Sequence, residues 1–218
     1  MTRSPANGDL DDLREYPPLV ARANALCSAV GFPLTREEAG PDRPSACLPS
    51  VGRFLAVLAA GCHGGRIGEL GTGAGVGSAW LASAMPADCT LITVETDEGL
   101  ADAARRVLAG DRRVKVITGD AVTVLADQGP YCLVFADSGL RSPGQFAALV
   151  SWLRPGGRIV MDDLVPVGAP QRGSPEADAM KRGFFAGDSR LTWTEVVLPD
   201  LRNSLLVGTR RTERSGQN

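Results

Sequence analysis

Between residues 65 and 161 short β-branched apolar runs alternate with stretches of helical period, and this alternation limits the possible folds more than any other feature of the chain. Arg66 to Leu70, Thr90 to Glu95, Arg113 to Thr118, Tyr131 to Ala136 and Arg158 to Met161 read as five strands. Residues 76–85, 97–109, 120–127 and 142–153 read as the helices between them. Trp80, Leu81 and Met85 make an apolar stripe on the first helix, Gly110 closes the second, and Pro155-Gly-Gly157 closes the last. A connection long enough to hold a helix lets successive strands run the same way, so the pattern is that of βαβ units and a mostly parallel sheet.

The two ends of the chain break this rhythm. Leu191 to Leu198 and Ser204 to Thr209 are strand-like runs separated only by Pro199 to Asn203, which forces an antiparallel hairpin. Residues 17–30 and 48–60 look helical and are joined by the proline-rich segment Phe32 to Pro49. The expected architecture is α/β: a doubly wound, Rossmann-like, mostly parallel seven-stranded sheet with a C-terminal antiparallel hairpin and N-terminal helices. The 218 residues suit one domain. Residues 13–62 would form a helical cover over one edge of the sheet or the mouth of the site, and residues 1–12 and 210–218 are expected to fray.

Composition narrows the function classes. A formal net charge of −2, with acids and bases interspersed, gives no electropositive face for nucleic acid. No apolar run is long enough to span a bilayer, and the polar N-terminus lacks a signal-type apolar core, so a cytoplasmic location is expected. The five cysteines, Cys27, Cys47, Cys62, Cys89 and Cys132, are odd in number, widely spaced and without a Cys-x-x-Cys pair. They read as unlinked thiols in a reducing compartment. His63 is the only histidine and reads as a loop residue, and Lys115 and Lys181 are the only lysines. No histidine or lysine is expected at a strand end, so proton transfer falls to carboxylates.

The chemistry concentrates in Glu69-Leu-Gly71-Thr-Gly73-Ala-Gly75-Val-Gly77-Ser78, where a strand hands over to a helix. In an open parallel sheet ligands bind outside the carboxyl ends of the strands, and glycines there let the backbone approach a ligand and expose its amides. The dinucleotide fingerprint G-x-G-x-x-G fails in both registers, because its third glycine would fall at Val76 or at Ser78. A P-loop fails because no Lys-Ser or Lys-Thr follows.

Glu69, Gly71, Gly73 and Gly75 match the acidic residue followed by G-x-G-x-G of the class I S-adenosylmethionine-dependent methyltransferases, which the chain resembles over roughly residues 45–210. Glu-Leu-Gly-Thr-Gly is similar to the small-molecule O-methyltransferases related to the catechol and caffeoyl-CoA enzymes. The resemblance implies that S-adenosylmethionine is held by Glu69, Gly71, Thr72, Gly73, Gly75, Gly77 and Ser78 in the turn, by Glu95 and Thr96 at the second strand end, and by Gly119, Asp120 and Ala121 after the third. Glu95 suits the ribose hydroxyls, and Asp97 suits a helix cap. Asp120 suits either the adenine amine or the cap of a short helix.

Asp137 ends the fourth strand, and Asp162 and Asp163 end the fifth. Three carboxylates on one rim repel unless a cation or proton joins them, and oxygen ligands suit Mg²⁺ or another divalent cation. The resembling enzymes hold a metal on Asp, Asp and Asn, so the analogy makes Asp137, Asp162 and Asp163 metal ligands, and Asp137 also a cofactor contact and catalytic residue. The other reading is that Asp137 faces the cofactor while Asp162 and Asp163 cap a loop.

The family's lysine three residues beyond the first Asp is Leu140 here, and its serine in the turn is Gly77. Walls of the acceptor site are expected from residues 32–50, 138–145 and 164–175. The function this implies is methyl transfer to the oxygen of a small hydroxylated molecule, by an enzyme whose relatives are often homodimers. Alternatives are a metal-independent methyltransferase, an aminopropyltransferase on the same fold, a nicotinamide dehydrogenase and a non-catalytic cofactor-binding module.

Overall fold

The computed structural model describes residues 16–40, 43–137, 140, 142–170, 174–198 and 203–212. Of the ends expected to fray, 1–12 and 210–218, residues 1–12 and 213–218 lie outside the described residues, whereas Arg210 is not frayed but is the last residue of a strand.

Seven strands form one sheet in the order β3-β2-β1-β4-β5-β7-β6. They are β1 Gly65–Leu70, β2 Cys89–Glu95, β3 Val114–Thr118, β4 Tyr131–Ala136, β5 Leu153–Leu164, β6 Leu191–Val197 and β7 Ser204–Arg210. The first five pair in parallel, and β7 runs antiparallel to both β5 and β6. The sheet, its parallel body and its terminal hairpin are those expected from the pattern. Strand order reverses between β1 and β4, and in an open sheet of this kind the crevice at that reversal is where ligands bind.

The helices cover both faces. α1 Pro18–Ala29, α3 Pro49–Ala60, α4 Val76–Ala84 and α5 Glu98–Leu108 lie on one side, where Leu55, Leu81, Trp80 and Val107 are buried. α6 Ala121–Ala126, α7 Pro143–Trp152 and α8 Pro175–Gly187 lie on the other, around Phe146, Leu149, Tyr131 and Phe185. α4 is buried on nearly every side because α1 and α3 pack onto the face it turns away from the sheet. The N-terminal helices thus cover a face of the domain body, and the segment joining them, with the short helix α2 Arg36–Ala39, reaches the mouth of the crevice.

Besides the four-residue α2, which falls in the segment read only as a proline-rich join, two longer elements differ from the sequence reading. Pro155-Gly-Gly157 ends no helix: α7 stops at Trp152 and β5 begins at Leu153. The pairing of β4 with β5 passes from Tyr131↔Leu153 to Leu133↔Arg158, so the Pro-Gly-Gly residues bulge out of a strand that resumes beyond them. The second difference is α8, for which the sequence showed no expected helix. Its fully buried residues are only Asp178 and Phe185, with Met180 and Phe184 partly buried against the core, so a carboxylate interrupts its inward face.

Candidate active site

The crevice outside the tips of β1, β2, β4 and β5 encloses about 250 Å³. Glu69, Gly71, Thr72, Gly73, Gly77, Glu95, Thr96, Asp137, Asp162 and Asp163 all line it, so elements far apart in sequence converge as the motif reading expected.

Glu69 is the most constrained of these residues. It is the last residue but one of β1, with no exposed surface, opposite Thr93 of β2 in the parallel register. Its Oε2 accepts hydrogen bonds from Thr93 Oγ1 at 2.6 Å and from Ser78 Oγ, while its Oε1 has no partner among the described residues. Burial pushes the carboxyl up to about 7, against the two hydroxyl donors that pull it down. A buried carboxylate oxygen without a donor is costly to leave so, and a cationic group of a ligand would satisfy it.

The turn that follows is built to expose backbone. Gly71 N and Thr72 N both donate to Val94 O, which pins the turn to β2. Gly75 caps α4 in the left-handed region with φ +93°, and a Cβ there would stand 3.2 Å from the Cα of Ala104. Gly75 therefore shapes the turn without lining the crevice, and Ser78 serves it through Glu69. Glu95, at the tip of β2, accepts from Gly73 N at 2.8 Å with Oε2 and from Thr96 N and Asp97 N with Oε1. Asp97 is the cap of α5, accepting from Leu100 N. The turn and the acid opposite it are one hydrogen-bonded unit.

Gly119, Asp120 and Ala121 follow β3 but do not line the crevice. Asp120 caps α6, taking Thr123 N at 2.8 Å and Thr123 Oγ1 at 2.7 Å. Of the two roles the sequence left open for it, the cap is the one its contacts display.

At the far end Asp137, Asp162 and Asp163 bring carboxylate oxygens within 4.8 Å of one another. Asp137 is half-buried, its N–H donating to Leu70 O at 3.1 Å, so it extends the pairing of β4 with β1. Burial first, then the carboxylates of Asp162 and Glu69, push Asp137 up to about 8, with Arg36 and Lys181 acting in the other direction. Asp162 accepts from Asn203 Nδ2 at 2.6 Å through Oδ1. Asp163 has φ +65°, a conformation Asp tolerates better than most residues, and its Oδ1 is paired with Arg36.

Lys181 revises the expectation that no lysine reaches a strand end. It stands on α8 and its Nζ donates to Asp162 O at 2.8 Å and Asp163 O at 3.3 Å. Burial lowers its pKa, opposed by Asp178, Asp162 and Asp137. Leu140, which occupies the position of the family's lysine, packs against the core around Phe146 instead.

The remaining wall is the segment between α1 and α3, anticipated as a wall but not resolved into residues. Phe32, Arg36, Arg43 and Cys47 face the crevice from it, Phe32 standing over Gly73 and Cys47 beside Gly77. Burial, then Asp162, Asp137 and Glu69, raise the Cys47 thiol well above its ordinary value, so it is a neutral wall residue. An irregular proline-rich run carries no periodicity from which its inward-facing members can be read.

Known proteins agree with this geometry. A family profile described as a methyltransferase domain matches residues 69–164, the span from the glycine turn to the end of β5. A Mycobacterium avium protein whose curated name provisionally calls it an O-methyltransferase is 35% identical over 196 residues, covering 84% of this chain and 88% of its own. Two solved structures share the fold. The O-methyltransferase TomG of Streptomyces achromogenes, crystallised with S-adenosylmethionine, has a TM-score of 0.70 at 24% identity and covers 92% of each chain. An O-methyltransferase of Bacillus cereus, crystallised with S-adenosylhomocysteine, has a TM-score of 0.74 at 22% identity, covering 92% of this chain and 94% of its own. With its fold, glycine turn and relatives in agreement, this chain belongs to the class I methyltransferases, in the family of small-molecule O-methyltransferases.

Proposed function

We propose that the protein transfers the methyl group of S-adenosylmethionine to a hydroxyl oxygen of a small acceptor, with a divalent cation held by Asp137, Asp162 and Asp163. The observation that carries this reading is Glu69: a fully buried carboxylate, fixed by two hydroxyls on one oxygen and without a partner among the described residues on the other, in the crevice lined by Gly71 and Gly73. Those residues fit the ammonium and nucleoside of the cofactor, and Glu95 fits its ribose hydroxyls. When bound, S-adenosylmethionine supplies a methyl on a positively charged sulfur; the C–S bond breaks with its electron pair going to sulfur, and a C–O bond forms to the acceptor.

The protein's own part is alignment and exclusion of water. Phe32 and Cys47 close the crevice over the glycine turn, and this reading sets the acceptor hydroxyl beside the rim acids, which line the same crevice. We assign Asp137, which lines the crevice at the tip of β4, to receive the hydroxyl proton, a role open to it in its ionised form, above about pH 8.

The acid cluster fits a hard cation in its donor type and span, since oxygens bound at about 2.0–2.6 Å to one ion lie within about 5 Å of each other. A bound divalent cation would supply Lewis acidity that lowers the pKa of the acceptor hydroxyl. Asn203 and Arg36 hold Asp162 and Asp163 in orientation. A second reading, metal-independent transfer, is favoured by the two cations already at the rim, Arg36 and Lys181. Titration with Mn²⁺ in the presence of S-adenosylhomocysteine separates the two.

Calorimetry with S-adenosylmethionine tests the whole proposal. Binding in the micromolar range is expected, and no heat at high micromolar concentrations would remove it. The same preparation, given an acceptor, should release S-adenosylhomocysteine in step with the methylated product.

A further inference from the structure

The charges lining the crevice are unevenly placed. Five carboxylates stand on the strand tips, and the only two cations among the lining residues, Arg36 and Arg43, both come from the segment between α1 and α3. Neither guanidinium is fully engaged. Arg36 gives Nη2 to Asp163, yet its Nε is buried with no hydrogen-bond partner among the described residues. Arg43 is exposed at the mouth and has no hydrogen-bond or ion-pair partner among the described residues. A buried N–H without an acceptor is a costly arrangement that a ligand can relieve, and the guanidinium fork matches carboxylate and phosphate oxygens in pairs.

The cofactor's subsite leans the other way. The residues fitted to it are the glycine turn, Glu69 and Glu95, whereas Arg36 reaches the rim at Asp163, the end that the proposed function gives to the acceptor hydroxyl.

We infer that Arg43, backed by Arg36, selects an acceptor that carries an anionic group, a carboxylate or a phosphate, in addition to the hydroxyl that is methylated. The inference rests on reading the crevice as a methyl-transfer site and names the acceptor's class. The hydroxyl end of such a molecule meets the rim acids and the anionic end meets the arginines, so the charge asymmetry of the pocket orients the acceptor before transfer.

The test is calorimetric, on the full chain saturated with S-adenosylhomocysteine, with three dihydroxyaromatic probes: 3,4-dihydroxybenzoate, 3,4-dihydroxybenzylphosphonate and the neutral 3,4-dihydroxybenzamide. At least one anionic probe is expected to bind about tenfold or more tightly than the amide, and the better anion shows which group the site prefers. In R43Q that preference should shrink to within about twofold, and it should weaken in the wild type as salt is raised. Circular dichroism melts of R43Q, expected to overlay the wild type because Arg43 is exposed, report that the variant is folded.

Equal binding of all three probes, no binding of any, or a preference that survives R43Q would each overturn the inference. So would a loss in R43Q confined to S-adenosylhomocysteine affinity, which would give Arg43 to the cofactor's carboxylate. Failure of S-adenosylhomocysteine to bind the wild type would instead remove the methyl-transfer reading itself.

Discussion

Glu69 and Thr93 face each other in register across β1 and β2, and Thr93 Oγ1 donates to Glu69 Oε2 at 2.6 Å. That contact orients the carboxylate but does not offset its burial, which holds the folded-state pKa at about 7 against an ordinary value of 4.5. Because the folded protein binds this proton more tightly than the unfolded chain, the stability it contributes is fully present below about pH 4.5 and is lost as pH rises through about 7. The loss amounts to about 3 kcal/mol. E69Q should therefore melt higher than the wild type at pH 8, with the gap closing toward pH 5. A cofactor ammonium prefers the ionised form, so wild-type affinity for S-adenosylhomocysteine should rise with pH up to about 7, and E69Q should bind weakly with a flat profile. Melts and titrations across pH 5 to 8 check both; a wild-type affinity independent of pH would count against Glu69 as the ammonium's partner.

Glu95 joins cofactor recognition to the shape of the turn, since the oxygen that accepts Gly73 N belongs to the same carboxylate fitted to the ribose. E95A should weaken S-adenosylhomocysteine by roughly 10- to 100-fold, the range expected for losing hydrogen bonds to a charged acceptor. E95Q, which keeps an acceptor for Gly73, should fall between the two. Calorimetry on the three proteins gives the order directly.

Two glycines in the same turn are expected to fail differently. A Cβ at position 77 would lie 2.6 Å from Glu69 Oε1, so the carboxylate must move if the family's serine is introduced there. G77S should lower cofactor affinity by about tenfold and stability by roughly 1–3 kcal/mol, the usual range for overpacking. Gly75 faces α5 instead, where φ +93° and the 3.2 Å approach to Ala104 penalise any side chain. G75A should cost roughly 2 kcal/mol of strain and contact, with a smaller effect on binding by the protein that remains folded. Denaturant melts paired with cofactor titrations distinguish the two patterns.

The parallel core was legible because its strands are β-branched runs separated by glycines, and the glycine-turn wall of the crevice because Glu69 to Ser78 is a continuous motif at a strand end. Local patterns gave less where contacts are long-range. Pro155 to Gly157 reads as a stop, and only the pairing partner Tyr131 shows the strand running past it. On α8 polar residues share the inward face with Met180, Phe184 and Phe185 and blur its period: Asp178 accepts Val165 N at 2.9 Å, and Arg182 reaches Val165 O at 2.6 Å. Arg36 and Lys181 meet the rim acids from 127 and 19 residues away, separations at which no spacing rule operates. For Asp120 the sequence offered two roles, and only the coordinates separate a helix cap from a crevice residue.

Lys181 yields the last prediction. Its Nζ ties together the two carbonyls of the residues whose side chains form most of the acid cluster, Asp162 and Asp163. It is a positioning residue: it does not line the crevice, and its hold on the end of β5 sets where those two carboxylates stand. K181M preserves the length of the side chain but removes the donors, so the rim should lose definition while β1 and β2, which carry Glu69 and Glu95, are untouched. Affinity for Mn²⁺ in the presence of S-adenosylhomocysteine should fall by roughly 10- to 100-fold, as for other losses of outer support to a metal ligand, and affinity for S-adenosylhomocysteine should change by less than about twofold. Electron paramagnetic resonance follows the Mn²⁺, and calorimetry follows the nucleoside. D162A, which removes both side-chain oxygens of a proposed ligand, sets the lower limit of the Mn²⁺ scale. If K181M bound Mn²⁺ as the wild type does while D162A did not, the end of β5 would be held rigid by Asp178, Arg182 and Asn203 alone.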